Sequence, residues 1–317
     1  MKISFIATVY NEQETILNLL DSLLGQIKLP QEVIIVDGGS NDETFKIINN
    51  QKIRFEKKHV KLKCFIKKGN RSVGRNYAIE NSSGDIIVCS DAGCVLDKDW
   101  IKNITEPFGK NEVDVVSGYY KGNASSLFQK CLIPYVLVMP NKLDHDKFLP
   151  ASRSMGFIKS IWQKAGGFPE QFSNNEDFVF ANKLKKINAK FVFQKNAFVY
   201  WLPRKNLMEA YIMFYRFALG DAEAMMLRPK VGLIFARYLF GILILILAII
   251  SKVNVLKVLI LILLALYILW AIFKSYKYIL DLRAIFILPV LQITSDIAVI
   301  VGTTLGLIKL WDTKMRQ

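Results

Sequence analysis

Histidine is almost missing from this chain: His59 and His145 are the only two in 317 residues. A metal centre supported by histidines is therefore not expected. The four cysteines, Cys64, Cys89, Cys94 and Cys131, show no CxxC spacing and fall in or near apolar, strand-like runs. They read as reduced thiols of a cytosolic domain, not as a disulfide framework or a zinc site. No signal peptide is expected, because Met1-Lys2 leads straight into a strand-like run and then a polar turn. Acidic residues are few beside basic ones, 27 against 42, giving a net charge of +15. The lysines are scattered among aliphatics and no basic stripe is interleaved with aromatics, so no nucleic-acid partner is expected. Basic flanks beside apolar segments suit an anionic membrane face better.

Apolar residues are abundant and unevenly spread. They make up 52% of the chain, above the norm for soluble proteins. Residues 1–227 have the texture of an ordinary soluble domain, whereas 231–308 hold long apolar runs. The expected organisation is a soluble domain over 1–227 and a membrane region over 228–317.

The first domain is organised around residues 85–94, Asp-Ile-Ile-Val-Cys-Ser-Asp-Ala-Gly-Cys. Ile86 to Cys89 reads as a buried strand, and Asp91 sits just past its carboxyl end. Taken alone, such an aspartate is an ordinary turn or helix-capping residue. Its neighbours change the reading. Strands are expected over 3–9, 32–36 and 62–66, with helices over 12–24, 43–50 and 72–81 and with Asn11 and Asp42 as caps. This alternation predicts βαβ units and a parallel sheet. Thr8, Tyr10, Asp37, Arg71 and Asp91 then all fall at or just beyond strand carboxyl ends. In an open α/β sheet that edge binds ligands, and two carboxylates, an arginine and several glycines suit a nucleotide diphosphate with a metal.

Ala7-Thr-Val-Tyr-Asn-Glu12, Val36-Asp-Gly-Gly-Ser-Asn-Asp42, Gly74-Arg-Asn76 and Ser90-Asp-Ala-Gly93 resemble, in that order, the nucleotide-sugar-binding half of family 2 glycosyltransferases. The resemblance covers residues 1–220. It implies an α/β fold of the GT-A type, a Rossmann-like, doubly wound mixed sheet, followed here by an α-helical membrane region. It also implies nucleotide-sugar contacts from Thr8, Tyr10, Glu12, Asp37, Arg71, Arg75, Asp91 and Gly93. Asp114 to Tyr119 reads as a further strand. Residues 127–139 are apolar but too short to span a bilayer, and read as a buried helix or a membrane-dipping loop. Pro150 to Ser154, which contains Arg153, is similar to the family's polar loop facing donor and acceptor. Asn174-Asn175-Glu176-Asp177 opens a helical pattern and resembles its acidic motif. In inverting members the aspartate of that pair is the general base, which assigns the base to Asp177 and an orienting or acceptor-binding role to Glu176. Acids at a helix start also have a routine electrostatic explanation. After a strand over 190–199, the helical stretch 204–224 carries Tyr215-Arg216, similar to an Arg-Tyr-x-x-Gly run of membrane-linked relatives. Arg216 would bind the diphosphate or an acceptor phosphate, or else sit among lipid headgroups.

Three positions depart from the family pattern. The usual aspartate pair after the second strand is Asp37-Gly38, the usual Asp-x-Asp is Asp91-Ala92-Gly93, and a frequent histidine is replaced by Trp201. Mg²⁺ or Mn²⁺ would then be held by Asp91, diphosphate and waters. The Asp144-His145-Asp146 cluster reads as a solvated loop.

Residues 231–250 and 255–273 are each long enough to cross a bilayer and form a tight hairpin through 251–254. A third apolar segment, 284–308, includes Pro289, Gln292 and Asp296. An acid at that depth is expected to face other helices or a polar cavity. Gly302-x-x-x-Gly306 would permit close helix packing. Arg228, Lys230, Lys274, Lys277 and Arg283 put the catalytic domain on the cytoplasmic side of the cell membrane. Lys309, Lys314 and Arg316 conflict with three simple crossings, which a re-entrant or interfacial third segment would resolve.

The expected function is membrane-anchored, inverting transfer of a sugar from a nucleotide-sugar to a lipid-linked or glycolipid acceptor in cell-envelope synthesis. A nucleotidyltransferase or nucleotide-sugar hydrolase on a similar sheet, and a degenerate nucleotide-binding scaffold, remain as alternatives. Sugar, base, acceptor and oligomeric state are not readable from the motifs.

Overall fold

The computed structural model describes residues 1–109, 112–145, 148–251 and 254–315, less the side chains of Thr313 and Lys314. Asp146, the middle of the 251–254 connection, the Lys314 side chain and Arg316 therefore lie outside the described residues. The chain divides into two compact units, Met1–Asn123 with Leu137–Leu202, and Ala124–Val136 with Pro203–Gln317.

The first unit begins with β1 (Ile3–Val9), α1 (Ile16–Leu24), β2 (Glu32–Asp37), α2 (Thr44–Asn49), α3 (Lys52–Glu56) and β3 (Lys61–Ile66). It continues with α4 (Arg71–Glu80), β4 (Ile86–Cys89), β5 (Cys94–Leu96), α5 (Trp100–Thr105) and β6 (Val115–Gly122). The segment α6 (Leu127–Val136) belongs to the other unit. β7 (Met155–Ile158), α7 (Lys159–Lys164), α8 (Glu176–Lys186) and β8 (Phe191–Trp201) complete the first.

Among the described residues the strands form one eight-stranded sheet in the order β3-β2-β1-β4-β7-β6-β8-β5. β1 to β4 are mutually parallel, β7 runs antiparallel to β4 and β6, and β5 runs antiparallel to β8. The sheet is thus mixed, with its parallel half made from the alternating strand–helix segments. β1 and β2 are buried nearly throughout, as their unbroken apolar runs require. Val9 pairs with Asp37 and Asp37 with Ile66, so the carboxyl ends of three strands share one edge. At the opposite edge, the buried Glu32 accepts from Ser4 Oγ, Ser83 N and Lys63 Nζ at 2.6–2.7 Å. That one carboxylate ties β1, β2, β3 and the approach to β4. Phe157, Phe168 and Phe180 pack in the core, and they seat α8 against the sheet.

Several local expectations change in detail. Asn11 does not cap a helix: it sits at φ 53° and its Oδ1 accepts from Asn41 N, while α1 starts only at Ile16. The cap of α4 is Asn70, whose side chain accepts from Val73 N, so the helix opens at Arg71. The aspartate expected to cap α2 accepts from Thr44 N at 3.0 Å. α3 and β5 are too short to carry a readable period.

The second unit holds α6, α9 (Leu207–Glu223), α10 (Val231–Ser251), α11 (Asn254–Tyr276) and α12 (Ala284–Met315). Three of these helices are long and apolar enough to cross a membrane: Val231–Ser251, Asn254–Tyr276 and Ala284–Asp312. α12 is one continuous helix with Pro289 inside it. A Cβ on Gly302 or Gly306 would come within 2.5 and 2.7 Å of α9 carbonyl oxygens, so both glycines serve close packing of α12 on α9. Asp296, 1% exposed, meets Arg237 of α10 in an ion pair, accepts from Tyr267 Oη of α11 at 2.6 Å and from Gln292 Nε2 at 2.9 Å. The acid of this apolar helix faces the other helices, as expected.

Candidate active site

The carboxyl edge of the parallel strands is reached by α4, by the loop before β7 and by the start of α8. α4 can approach β1 because Gly74 has no Cβ; one there would lie 2.7 Å from Thr8 Cγ2. From α4 the nearly buried Arg75 donates from Nη1 to Glu176 Oε1 at 2.6 Å and from Nη2 to Asp91 Oδ1 at 3.1 Å. Asn76, the next residue, holds the turn before α8: it donates to Phe168 O at 2.9 Å and accepts from Phe168 N at 2.9 Å. The Gly74-Arg75-Asn76 triplet thereby joins the first half of the domain to its acidic motif.

Asp177 stands beside this brace. Its Oδ2 accepts from Ser152 N at 3.2 Å and its Oδ1 from Phe178 N at 2.8 Å. Burial, and then the adjacent Glu176 carboxylate, push the Asp177 carboxyl above the usual aspartate range, against the pull of Arg75. Asp91 goes the other way. Burial raises it, but the guanidiniums of Arg75, Arg71 and Arg153 more than offset that and hold it below its usual value. Two carboxylates on one edge are therefore driven apart in acidity, a feature common at catalytic sites.

Asp37 ends β2 with Oδ1 accepting from Gly39 N and Ser40 N, while its buried Oδ2 has no partner among the described residues. Ser152 Oγ and Asn175 Nδ2 are likewise buried without partners. Such orphans are rare, and polar groups of a ligand at this edge would complete their bonding. Tyr10 is 60% exposed just after β1. Arg153 is half-buried, with its guanidinium carbon 5.5 Å from the Tyr120 ring and 5.3 Å from the Trp201 ring. Burial pushes the thiols of Cys64, Cys89 and Cys94 up to about 12, so they are not nucleophiles at neutral pH.

The structure thus brings Arg71, Arg75, Asp91, Arg153, Glu176 and Asp177 into one electrostatic group. Thr8 sits under Gly74, and Gly93 borders open space. The Glu12 carboxylate accepts from Thr15 Oγ1, bracing the turn into α1. Arg216 lies exposed on α9 in the other unit. Sequence reasoning missed the Ser152 amide and the Tyr120 and Trp201 rings around Arg153. An amide contact has no residue-type signature, and β6 and β8 come together only in the folded sheet.

The sequence profile described as glycosyl transferase family 2 matches residues 4–147, from β1 through the first six strands. Those residues are a family 2 glycosyl transferase domain. Poly-β-1,6-N-acetyl-D-glucosamine synthase of Staphylococcus epidermidis is 26% identical over 231 residues, covering 71% of this chain and 55% of that protein. The chain therefore spans about half the length of that relative. Among solved structures, Staphylococcus aureus TarS 1–349 in complex with UDP superposes with a TM-score of 0.52 at 21% identity, over 69% of this chain and 65% of that one. The mannosyltransferase PcManGT of Pyrobaculum calidifontis, in complex with GDP-Man and Mn²⁺, superposes with a TM-score of 0.63 at 16% identity. That match covers 94% of this chain and 87% of that one. The family 2 domain has the GT-A fold, and helices long and apolar enough to cross a membrane follow it.

Proposed function

We propose that this protein is a membrane-anchored, inverting glycosyltransferase using a nucleotide-sugar donor. The observation that carries this reading is Asp177: a carboxyl with raised affinity for protons, at the start of α8, beside the Arg75 brace. Asp177 takes the proton of the acceptor hydroxyl as that oxygen forms its bond to the anomeric carbon. The bond from that carbon to the diphosphate breaks on the opposite face, and its electron pair leaves with the nucleoside diphosphate. Glu176, joined to Arg75, orients this group. Asp37 receives base or ribose at its unpartnered oxygen, next to Thr8 and Tyr10, and Asp91 faces ribose or diphosphate. Arg71 and Arg153 offer cations to donor or acceptor phosphates.

Mg²⁺ or Mn²⁺ arriving with the donor would find Asp91 as its protein ligand. The donor set suits such an ion poorly. Arg75 already takes one Asp91 oxygen, Gly93 and Trp201 offer no ligand, and the described residues hold no cluster of three or more His, Cys, Asp or Glu. No step of the reaction is routed through a metal.

Three helices of spanning length and the basic flanks Arg228, Lys230, Lys274, Lys277 and Arg283 support anchoring in the cytoplasmic membrane with the family 2 domain inside. A site tied to the bilayer favours an acceptor borne by a lipid. Transfer by reconstituted protein should prefer lipid-linked acceptors over soluble sugars; equal or better use of soluble acceptors would sink that part of the reading.

A further inference from the structure

We infer that arginine, not a divalent ion, neutralises the leaving diphosphate, and that Arg153 is the residue that does so. The inference rests on the glycosyl-transfer reading above. As the bond between the anomeric carbon and the diphosphate oxygen breaks, its electron pair stays on that oxygen and negative charge grows there. Something cationic must be waiting.

Arg153 is built to wait. It lies in the loop that supplies the Ser152 amide to Asp177, one residue away. Its guanidinium rests near the Tyr120 and Trp201 rings, at 5.5 and 5.3 Å, which hold a cation without using its donors. Among the described residues it has no hydrogen-bond or ion-pair partner, and it still acts electrostatically on Asp91. Its N–H groups are therefore available to an anion.

The backbone fixes this arrangement against the Asp91 turn. Cys94 pairs with Trp201 across β5 and β8, and Leu202 N donates to Gly93 O at 3.1 Å. The Trp201 ring that supports Arg153 is thus anchored to the same turn that carries Asp91. A divalent ion placed at Asp91 would face the guanidiniums of Arg75, Arg71 and Arg153 with one carboxylate to hold it. A diphosphate placed there meets Arg71 and Arg153 as partners, while Arg75 stays bonded to Glu176 and Asp91. With Asp91 already paired to Arg75, the unpaired Arg153 beside it suits an anion better than a divalent ion.

The test is nucleotide binding, read by calorimetry on the full chain in lipid nanodiscs with UDP, GDP, dTDP and CDP, first in EDTA and then in Mn²⁺. The nucleotide that binds should do so with a Kd that differs less than about threefold between the two buffers. Arg153→Met should weaken it by about tenfold or more, since charged hydrogen bonds are lost, and Arg153→Lys should recover part of that. Gly93 has nothing within 4 Å of a Cβ position. Gly93→Asp should therefore fold and make binding respond to Mn²⁺ where the natural chain does not. Binding that collapses in EDTA, returns with Mn²⁺ and ignores Arg153→Met would overturn the inference while leaving glycosyl transfer standing. Absence of binding by all four nucleotides in both buffers would overturn the two together.

Discussion

Arg75 and Glu176, 101 residues apart in the chain, are joined by a 2.6 Å ion pair whose two side chains are 4% and 5% exposed. The same guanidinium reaches Asp91, so one side chain ties β4, α4 and α8 at the working edge of the sheet. Breaking a buried pair strands the remaining charge, and Arg75→Ala should destabilise the protein by about 3 kcal/mol or more. Arg75→Lys, a point charge in place of a planar fork, should not hold both carboxylates and should also lose activity. Thermal unfolding and transfer rates on the two variants check this; wild-type stability in Arg75→Ala would contradict it.

The pH dependence of kcat/KM should carry the mark of Asp177. Its carboxyl is raised by burial and by Glu176, and it accepts a proton only when ionised. Activity should therefore fall as pH drops through a value above the ordinary aspartate range of about 4. Arg75 pulls the other way, so any active Arg75 variant should show that acid limb displaced further upward. An acid limb at the ordinary value would remove Asp177 from the role of base.

Glu32 offers a contrast, since it lies at the far edge of the sheet. Burial raises its carboxyl, but Lys63, Ser83 and Ser4 outweigh that and bring it down to about 2. A depressed acid contributes stability that is full above about pH 4.5 and is lost as pH falls towards 2. Glu32→Ala should cost about 3 kcal/mol by taking from Lys63 its counter-charge and from the Ser4 hydroxyl its acceptor. Nucleotide affinity of the folded fraction should be unchanged, which calorimetry below the melting transition would reveal.

In the helical unit, Asp296 ties α10, α11 and α12 through Arg237, Tyr267 and Gln292. Asp296→Ala leaves the Arg237 guanidinium unmatched and should lower stability in nanodiscs by about 3 kcal/mol. Joint replacement, Asp296→Leu with Arg237→Met, should restore most of that loss. If the double variant is no better than the single one, the pair is not what holds these helices.

Much of this was legible in the sequence. The strand–helix alternation of the first four strands, the glycine and aspartate placement at their ends, and the apolar length of the last three helices are local patterns, and the structure carries them. Asp37, Arg71 and Asp91 stand where that pattern predicts. In the second half of the sheet β6 and β8 were legible as strands over 114–119 and 190–199, but β5 and β7 are short and the strands pair out of chain order. Glu12 shows what a motif leaves out: one oxygen of its carboxylate accepts from Thr15, three residues on, a local contact that the motif does not encode. The partners of Arg75 and Arg153 lie far away along the chain, and no spacing rule links Arg153 to Trp201.

The central claim is that Asp177 is the base of a glycosyl transfer, and transfer from a donor panel tests it most directly. Membranes carrying the full chain would be offered UDP-, GDP-, dTDP- and CDP-sugars with lipid-linked acceptors, beside Asp177→Asn. One donor should turn over, and the substitution should slow transfer about 10²- to 10⁴-fold. Nucleotide binding should survive, with stability equal or higher, because a raised carboxyl is one whose ionisation opposes folding. Turnover undiminished in Asp177→Asn, or no donor consumed by the natural chain, would contradict the account.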